Sequence, residues 1–243
     1  MKIAIISDIH GNMQALTSVL EDIKTENCDK ILCLGDLVMA GPEPKKTLDA
    51  IMSMDNIDII QGNTDEMVAY ADISAPKVKA VFPIMGNALE NDAKQLDENE
   101  IEFLKNLPKQ KELEIEGVKL LMVHGSPRKN DENIFPNLKI EEVEEMIKGV
   151  DADVILCGHT HMPCGYQTNN NKTVVNVGSV GRPFTDNTQS CYAIAEINNG
   201  QIEFIHKFVD YDKETASEIL AKRDFDGAEK LSQILINPKE RHM

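Results

Sequence analysis

Apolar residues in the first half of the chain gather into short runs rich in Ile, Val and Leu, at 3–7, 30–34, 57–61, 119–123 and 153–157. Such continuous runs, bounded by polar and glycine-bearing clusters, predict buried strands. Between them the period lengthens. Residues 13–24 place Leu16, Leu20 and Ile23 on one helical face, 45–54 form a second helical stretch with Pro44 just ahead of it, and 140–148 a third. Strand-then-helix repetition predicts a largely parallel sheet covered by helices. After residue 170 the pattern changes to consecutive strands at 173–177, 191–197 and 202–208, the last two joined by the turn Asn198-Asn199-Gly200. The second half is therefore expected to be antiparallel, giving either one mixed sheet or two sheets packed face to face. The tail at 213–235 reads as one or two surface helices with Gly227 as a break.

Residues 66–110 fit neither half. They carry Pro76, Pro83, Gly86 and Pro108 among short helical pieces such as 98–107. Beside an active centre, a segment of this kind is either a lid that shapes substrate choice or ordinary helical cover for the sheet. The chain of 243 residues is long enough for one substantial core, so it reads as a single α/β domain over 1–243 with 66–110 inside it.

Composition excludes several classes. With 42% hydrophobic and 27% charged residues, the chain matches soluble globular proteins. Its first apolar run is too short for a signal-peptide core, and no run approaches a membrane span, so a cytoplasmic protein without a membrane partner is expected. Five cysteines without a C-x-x-C pair argue against a disulfide framework or a zinc knuckle and suit small core residues in a reducing compartment. The formal charge of −16 would repel a nucleic-acid polymer. A small phosphate-bearing substrate would need a local positive charge to overcome that field, and bound metal ions would supply it.

Candidate chemistry collects where the predicted strands stop. The first runs into Ser7-Asp8-Ile9-His10-Gly11-Asn12, the second ends in Gly35-Asp36 and the third in Gly62-Asn63-Thr64-Asp65. The fourth ends in His124-Gly125-Ser126 and the fifth in Gly158-His159-Thr160-His161. In open α/β sheets the ligand crevice lies beyond the carboxyl ends of the strands. One edge therefore receives Asp8, His10, Asp36, Asn63, His124, His159 and His161. Taken singly each is weak: a lone Asp is more often a helix cap, Asp65 could simply start a helix, and His206 and His242 suggest no role. As a set, with four of the six histidines at strand ends on one side, they point to a metal centre. Imidazole, carboxylate and amide oxygen without thiolate suit Mn, Fe, Zn, Ni or Co. Seven ligands are too many for one tetrahedral zinc and suit two ions sharing a carboxylate. Two divalent ions, Asp8, Asp36 and a hydroxide leave a centre of about +1, enough to hold phosphate oxygens and to make a nucleophile near neutral pH.

The pieces Asp8-Ile9-His10, Gly35-Asp36, Gly62-Asn63-Thr64-Asp65, His124 and Gly158-His159-Thr160-His161 resemble, in order, the calcineurin-like metallophosphoesterase pattern D-x-H, G-D, G-N-H-[DE], lone His and G-H-x-H. The resemblance spans residue 1 to about 185. The stretches 7–12 and Asn176-Val177-Gly178-Ser179-Val180-Gly181-Arg182-Pro183 look closest to the small prokaryotic phosphodiesterase branch. It implies a four-layer αββα sandwich of two mixed sheets flanked by helices. It further implies a first metal on Asp8, His10 and His161, a second on Asn63, His124 and His159, and Asp36 as the bridge, with Mn or Fe favoured. Asp36, Asn63 and His124 would then be the catalytic set, holding a bridging hydroxide that attacks phosphorus in line.

One position departs from the family. Thr64 stands where its leaving-group histidine is usual, and a threonine hydroxyl is far too weak an acid to replace an imidazolium. The expectation is a preference for good leaving groups, with the Thr64 hydroxyl limited to a hydrogen bond. Asn12 is a candidate substrate contact or a cap for the helix after it. Arg182 is a candidate clamp for a second phosphate, and Arg128 has similar standing. The expected activity is hydrolysis of phosphodiester or phosphoanhydride bonds in a small molecule such as a nucleotide or dinucleoside polyphosphate. Phosphomonoesterase, protein phosphatase and a non-catalytic scaffold, as in the retromer subunit of this superfamily, stay open, as does homo-oligomerisation.

Overall fold

The computed structural model describes residues 1–184 and 187–237, so His242 lies outside the described residues. Its first sheet contains the parallel strands β1 (Lys2–Ile6), β2 (Lys30–Cys33) and β3 (Ile57–Ile59). The second holds β4 (Gln110–Ile115), β5 (Val118–Val123), β6 (Val154–Cys157), β7 (Cys164–Gln167) and β8 (Thr173–Asn176). The late hairpin β9 (Ser190–Asn198) and β10 (Gln201–Val209) returns to the first sheet, where β9 lies antiparallel to β1. Strand order is therefore β10-β9-β1-β2-β3 in one sheet and β4-β5-β6-β8-β7 in the other. Within the second sheet β5, β6 and β8 run parallel, and β4 and β7 are antiparallel edges. Both sheets are mixed, as expected.

Side-chain alternation sets the layers. Along β1, Ile3 and Ile5 enter the space between the sheets and meet Leu32, Leu34, Leu120, Met122, Val154 and Leu156. Ala4 and Ile6 point the other way, into a core shared with Leu16 and Val19 of α1 (Met13–Thr25) and Leu48 and Ile51 of α2 (Pro44–Met52). On the second sheet Leu121, Ile155 and Cys157 pack on Val143 of α7 (Ile140–Met146). The result is helix, sheet, sheet, helix. Each fully buried Ile or Leu contributes roughly 1.5–3 kcal/mol, so β1, apolar after Lys2, and the all-apolar β6 act as the central members of their sheets.

The 66–110 segment forms α3 (Asn63–Ala69), α4 (Ala71–Val81), α5 (Pro83–Gln95) and α6 (Glu98–Asn106). Val68, Ala75, Ala88, Leu89 and Leu104 join the helix-covered core, while Ile73, Val81 and Phe82 stay exposed. The tail is a pair of helices, α8 (Lys213–Ala221) and α9 (Ala228–Ile236), broken at Gly227 as expected. Strand ends differ from the sequence runs by one or two residues, with β2, β3, β6 and β8 shorter and β5, β9 and β10 longer. Two strands escaped the reading. β4 is a polar edge alternating exposed and half-buried residues, and β7 is a four-residue edge containing Gly165. Among the described residues no helix is long and apolar enough to cross a membrane. Cys33, Cys157 and Cys191 are buried and none of the five cysteines is bonded to another.

Candidate metal centre

The carboxyl ends of β1, β2, β3, β5 and β6 converge at one rim between the sheets, and their loops are stitched to one another through the backbone. Asp8 N donates to Gly35 O at 3.0 Å, Ile9 N and His10 N to Asp36 O at 2.8 and 2.9 Å, and Gly158 N to His124 O at 2.8 Å. The chain bends sharply there. Asp8, His10, Asp36, His159 and His161 all have positive φ, between 49° and 67°. For non-glycine residues this costs on the order of 1 kcal/mol or more each and persists only where surrounding contacts overdetermine it, a pattern that clusters at functional sites.

Two glycines permit the close approach. A Cβ at Gly62 would lie 2.1 Å from Asp36 Oδ1, and one at Gly158 2.1 Å from Ser7 Oγ and 2.5 Å from Asp8 Oδ2. The strand-end loops meet because those positions have no side chain.

Two groups of side chains result: Asp8, His10 and His161, and Asp36, His124 and His159. Within each, the ligand-capable atoms all lie within 4.8 Å of one another. Asp8 Oδ1 is 3.2 Å from His161 Nε2, 3.8 Å from His10 Nε2 and 3.9 Å from His124 Nε2. Asp36 Oδ2 sits between the groups, 3.6 Å from His10 Nε2 and 3.3 Å from His124 Nε2. Six of the seven sequence candidates are thus brought together, and the seventh, Asn63, opens α3 between Gly62 and Thr64, both of which approach Asp36.

The outer atoms of the centre are tied down. His10 Nδ1 lies 3.0 Å from Met39 O, His124 Nδ1 2.7 Å from Leu34 O, and His161 Nδ1 against Arg182 O. A carbonyl only accepts, so each Nδ1 carries a proton and each Nε2 is the atom turned inward. Asp8 Oδ2 accepts from His159 N at 3.0 Å and Asp36 Oδ1 from Thr64 N at 2.8 Å. By contrast the inward atoms Asp8 Oδ1, Asn63 Oδ1 and His124 Nε2 are buried without a hydrogen-bond partner. His10 Nε2 faces His161 Nε2 at 3.2 Å, lone pair toward lone pair. Leaving such groups unpaired costs about 1–3 kcal/mol apiece, and a cation shared among them would satisfy them together. The donor set fits divalent metal ions.

Charge coupling agrees. Burial and the neighbouring His161 push His10 down to about 4. Burial opposes a charged His124, yet the Asp36 and Asp8 carboxylates outweigh it and lift the imidazole to about 10. Burial would raise the Asp8 carboxyl, but His161 and His124 hold it well below the usual carboxylate range. Burial, aided by Asp36, raises Asp65 to about 7 against the backbone N–H groups that stabilise it.

A family model described as the calcineurin-like phosphoesterase superfamily domain matches residues 1–200. The chain belongs to that superfamily. Calcineurin-like phosphoesterases use divalent metals, and the two Asp and His groups are where this member offers ligands. The uncharacterized protein MJ0912 of Methanocaldococcus jannaschii is 29% identical over 236 residues, covering 90% of this chain and 92% of its own length. The solved metallophosphoesterase from Sphaerobacter thermophilus superposes with TM-score 0.81 at 24% identity, covering 98% of this chain and 99% of the other. The hypothetical protein PH1004 from Pyrococcus horikoshii OT3 gives TM-score 0.85 at 23% identity, covering 98% of each chain. At these identities the two structures speak for the fold.

Three substrate-contact candidates of this phosphoesterase are placed elsewhere. Asn12 is fully buried; its Oδ1 accepts from Ala15 N at 3.1 Å and its Nδ2 donates to Gly181 O at 2.9 Å, so it caps α1. The Thr64 hydroxyl donates to Val38 O at 3.0 Å, which turns it into the protein. Arg128 is engaged by Glu132, with Nε 3.1 Å from Oε2, and by Glu145 O. Arg182 stays near the centre, its guanidinium 5.7 Å from the Phe184 ring and its charge felt by His10. His206, with Nε2 2.8 Å from Asn176 O, has a structural partner outside the centre.

Two contributors were not foreseen. Asp65, besides opening α3, accepts from Asp36 N and Leu37 N at 2.8 Å each and from Gly62 N at 2.9 Å, binding two ligand loops together. Its place at the acidic position of Gly62-Asn63-Thr64-Asp65 was the sequence signal. Phe184 stacks on His161 with ring centroids 4.5 Å apart and planes inclined 28°, and nothing in its sequence neighbourhood announced it.

Proposed function

We propose that this phosphoesterase hydrolyses phosphodiester or phosphoanhydride bonds of a small molecule at a two-metal centre. Asp8, His10 and His161 would hold one ion, Asn63, His124 and His159 the other, and Asp36 both. When bound, two divalent cations supply Lewis-acid charge and lower the pKa of water toward neutrality. The observation that carries the reading is the contrast between outer ligand atoms fixed by backbone partners and inward atoms that are buried and unsatisfied. The position of Asp36 Oδ2 between His10 and His124 supports its shared role.

The protein's own groups divide the remaining work. Met39, Leu34 and Arg182 carbonyls hold the three imidazoles in the ligand tautomer. The Thr64 amide pins the Asp36 carboxylate from behind. Arg182 is the cation best placed to meet a substrate phosphate. Because the Thr64 hydroxyl faces Val38, no proton donor stands at the family's histidine position, which favours leaving groups of low pKa such as a nucleotide phosphate or an aryl oxide. A substrate-shaping role for the 66–110 segment is supported by Met85 of α5, whose Sδ is 3.8 Å from Arg182 Nη1.

The test is hydrolysis of bis(p-nitrophenyl) phosphate, nucleoside polyphosphates and alkyl phosphates by metal-stripped protein reconstituted with Mn, Fe, Zn, Ni or Co. Activity restored by metal, with aryl and anhydride substrates far ahead of alkyl esters, is expected. Inactivity with every metal would leave a scaffold as the better reading, and equal rates on alkyl monoesters would overturn the leaving-group argument.

A further inference from the structure

The family match ends at residue 200, yet the chain continues into the α8–α9 hairpin, and its link carries a buried charge that the metal centre does not explain. Arg223 is almost wholly buried, its side chain 6% exposed, and its Nη2 forms an ion pair with fully buried Asp92 Oδ1 on α5 at 2.6 Å. The same guanidinium donates through Nη1 to Gly41 O at 2.6 Å and through Nη2 to Asn91 Oδ1 at 2.6 Å. Asp92 Oδ2 accepts from Met39 N at 2.8 Å. Arg223 and Asp92 thus grip the 39–41 loop from both sides. Hairpin and α5 are joined further by Asn87 Nδ2 to Asp226 O at 3.1 Å and Asn91 Nδ2 to Asp224 O at 2.9 Å.

The gripped loop is strained and consequential. Met39 and Ala40 are consecutive non-glycine residues with φ of 90° and 65°. The Met39 carbonyl accepts the His10 Nδ1 proton and thereby aims Nε2 into the centre. A loop of this shape relaxes unless its surroundings hold it. A buried ion pair is a poor source of net stability, but it imposes geometry well, because a planar guanidinium donates in fixed directions.

We propose that the Arg223–Asp92 pair is a positioning clamp: by holding the 39–41 loop, with its left-handed Met39 and Ala40, it sets the orientation of His10, so that the C-terminal hairpin is part of the metal centre's support. The clamp rests on the reading of His10 as a ligand for its effect on metal affinity, but not for its effect on the His10 ring. Arg223→Lys keeps the charge facing Asp92 but replaces the planar fork, whose two nitrogens reach Gly41 O and Asn91 Oδ1, with a single ammonium that does not reproduce those directions. Asn91→Ala is a milder variant that removes one of the guanidinium's acceptors. Leu231→Ala, in the buried face of α9, loosens the hairpin without touching the loop.

Two readouts apply. In metal-free protein, NMR should show a persistent His10 Nδ1–H resonance in wild type and Leu231→Ala, and its loss or at least tenfold faster exchange in Arg223→Lys. In Mn²⁺ titration calorimetry, Arg223→Lys should weaken one class of site about 10–100-fold, the same class that His10→Ala removes, and leave the other within twofold. Asn91→Ala should weaken that class by at least threefold, and Leu231→Ala should leave both within twofold while lowering Tm. An unchanged Nδ1–H resonance in Arg223→Lys, or an equal loss of metal affinity in Leu231→Ala, overturns the clamp. If His10→Ala binds Mn²⁺ like wild type, the ligand assignment fails, and the imidazole resonance still decides whether the clamp exists.

Discussion

Replacing Gly62 by Ala offers a sharp test of how the ligand loops are held. Gly62 has φ −83° and ψ 172°, which alanine adopts freely, so backbone conformation alone predicts a gain of about 0.4–1 kcal/mol from a less flexible unfolded chain. Packing predicts the opposite. The new Cβ would stand 2.1 Å from Asp36 Oδ1 and 2.2 Å from Asp36 N, so one loop must retreat by about 1 Å to reach ordinary contact. That shift strains three hydrogen bonds to carboxylates: Gly62 N to Asp65 at 2.9 Å, Asp36 N to Asp65 at 2.8 Å and Thr64 N to Asp36 at 2.8 Å. Losing two, at about 1.5–3 kcal/mol each, costs roughly 3–6 kcal/mol, and the net is about 2–5 kcal/mol of destabilisation. At about 2–4 °C per kcal/mol in a chain of this size, Tm should fall by on the order of 10 °C, and Mn²⁺ affinity of the Asp36 group should fall with it. Thermal melts and calorimetry measure both. An unchanged or raised Tm would refute the claim that the missing Cβ is what lets Asp36 and Asn63 share one centre.

Asn12→Ala should lower stability by about 1–2 kcal/mol through loss of the α1 cap while leaving KM within twofold; a large rise in KM at unchanged Tm would restore Asn12 as a substrate contact. Thr64→Val should cost about 0.5–1.5 kcal/mol through the lost bond to Val38 O and change kcat for bis(p-nitrophenyl) phosphate by less than threefold, whereas a hundredfold loss would place the hydroxyl in the reaction. His124, held at about 10 by Asp36 and Asp8, is protonated in the metal-free protein at pH 8 and must lose that proton to act as a ligand. Mn²⁺ binding should therefore release about one proton, read from the buffer dependence of the binding enthalpy, and none in His124→Gln. Because this pKa is raised, its contribution to metal-free stability is full below about 6.5 and disappears as pH rises through about 10.

How much of this could be read in advance depended on whether the signal was local. β1, β2, β5 and β6 are buried on both faces, so their sequences are continuous apolar runs and were visible at once. β4 has one face in solvent and its inward residues only half-buried, so Gln110, Glu112 and Glu114 masked it. The seven ligand candidates were legible because each follows an apolar run and most sit beside a glycine. The direction of a side chain was not legible. Thr64 lies within a ligand motif, but its hydroxyl is taken by Val38, which only folding brings near, whereas the Asn12 cap on Ala15 and the Arg128–Glu132 pair are local. The Arg223–Asp92 pair spans two segments far apart in the chain, and isolated charges in helical sequence ordinarily read as solvated surface.

The most direct test of the account is to count the metal. Metal-stripped protein dialysed against Mn²⁺ and analysed by inductively coupled plasma mass spectrometry should hold about two ions per chain, one for each Asp and His group, with Asp36→Asn losing at least one of them and its phosphodiesterase activity. Wild-type protein that binds one ion or none, or an Asp36→Asn variant that keeps both ions and full activity, would contradict the shared two-metal centre.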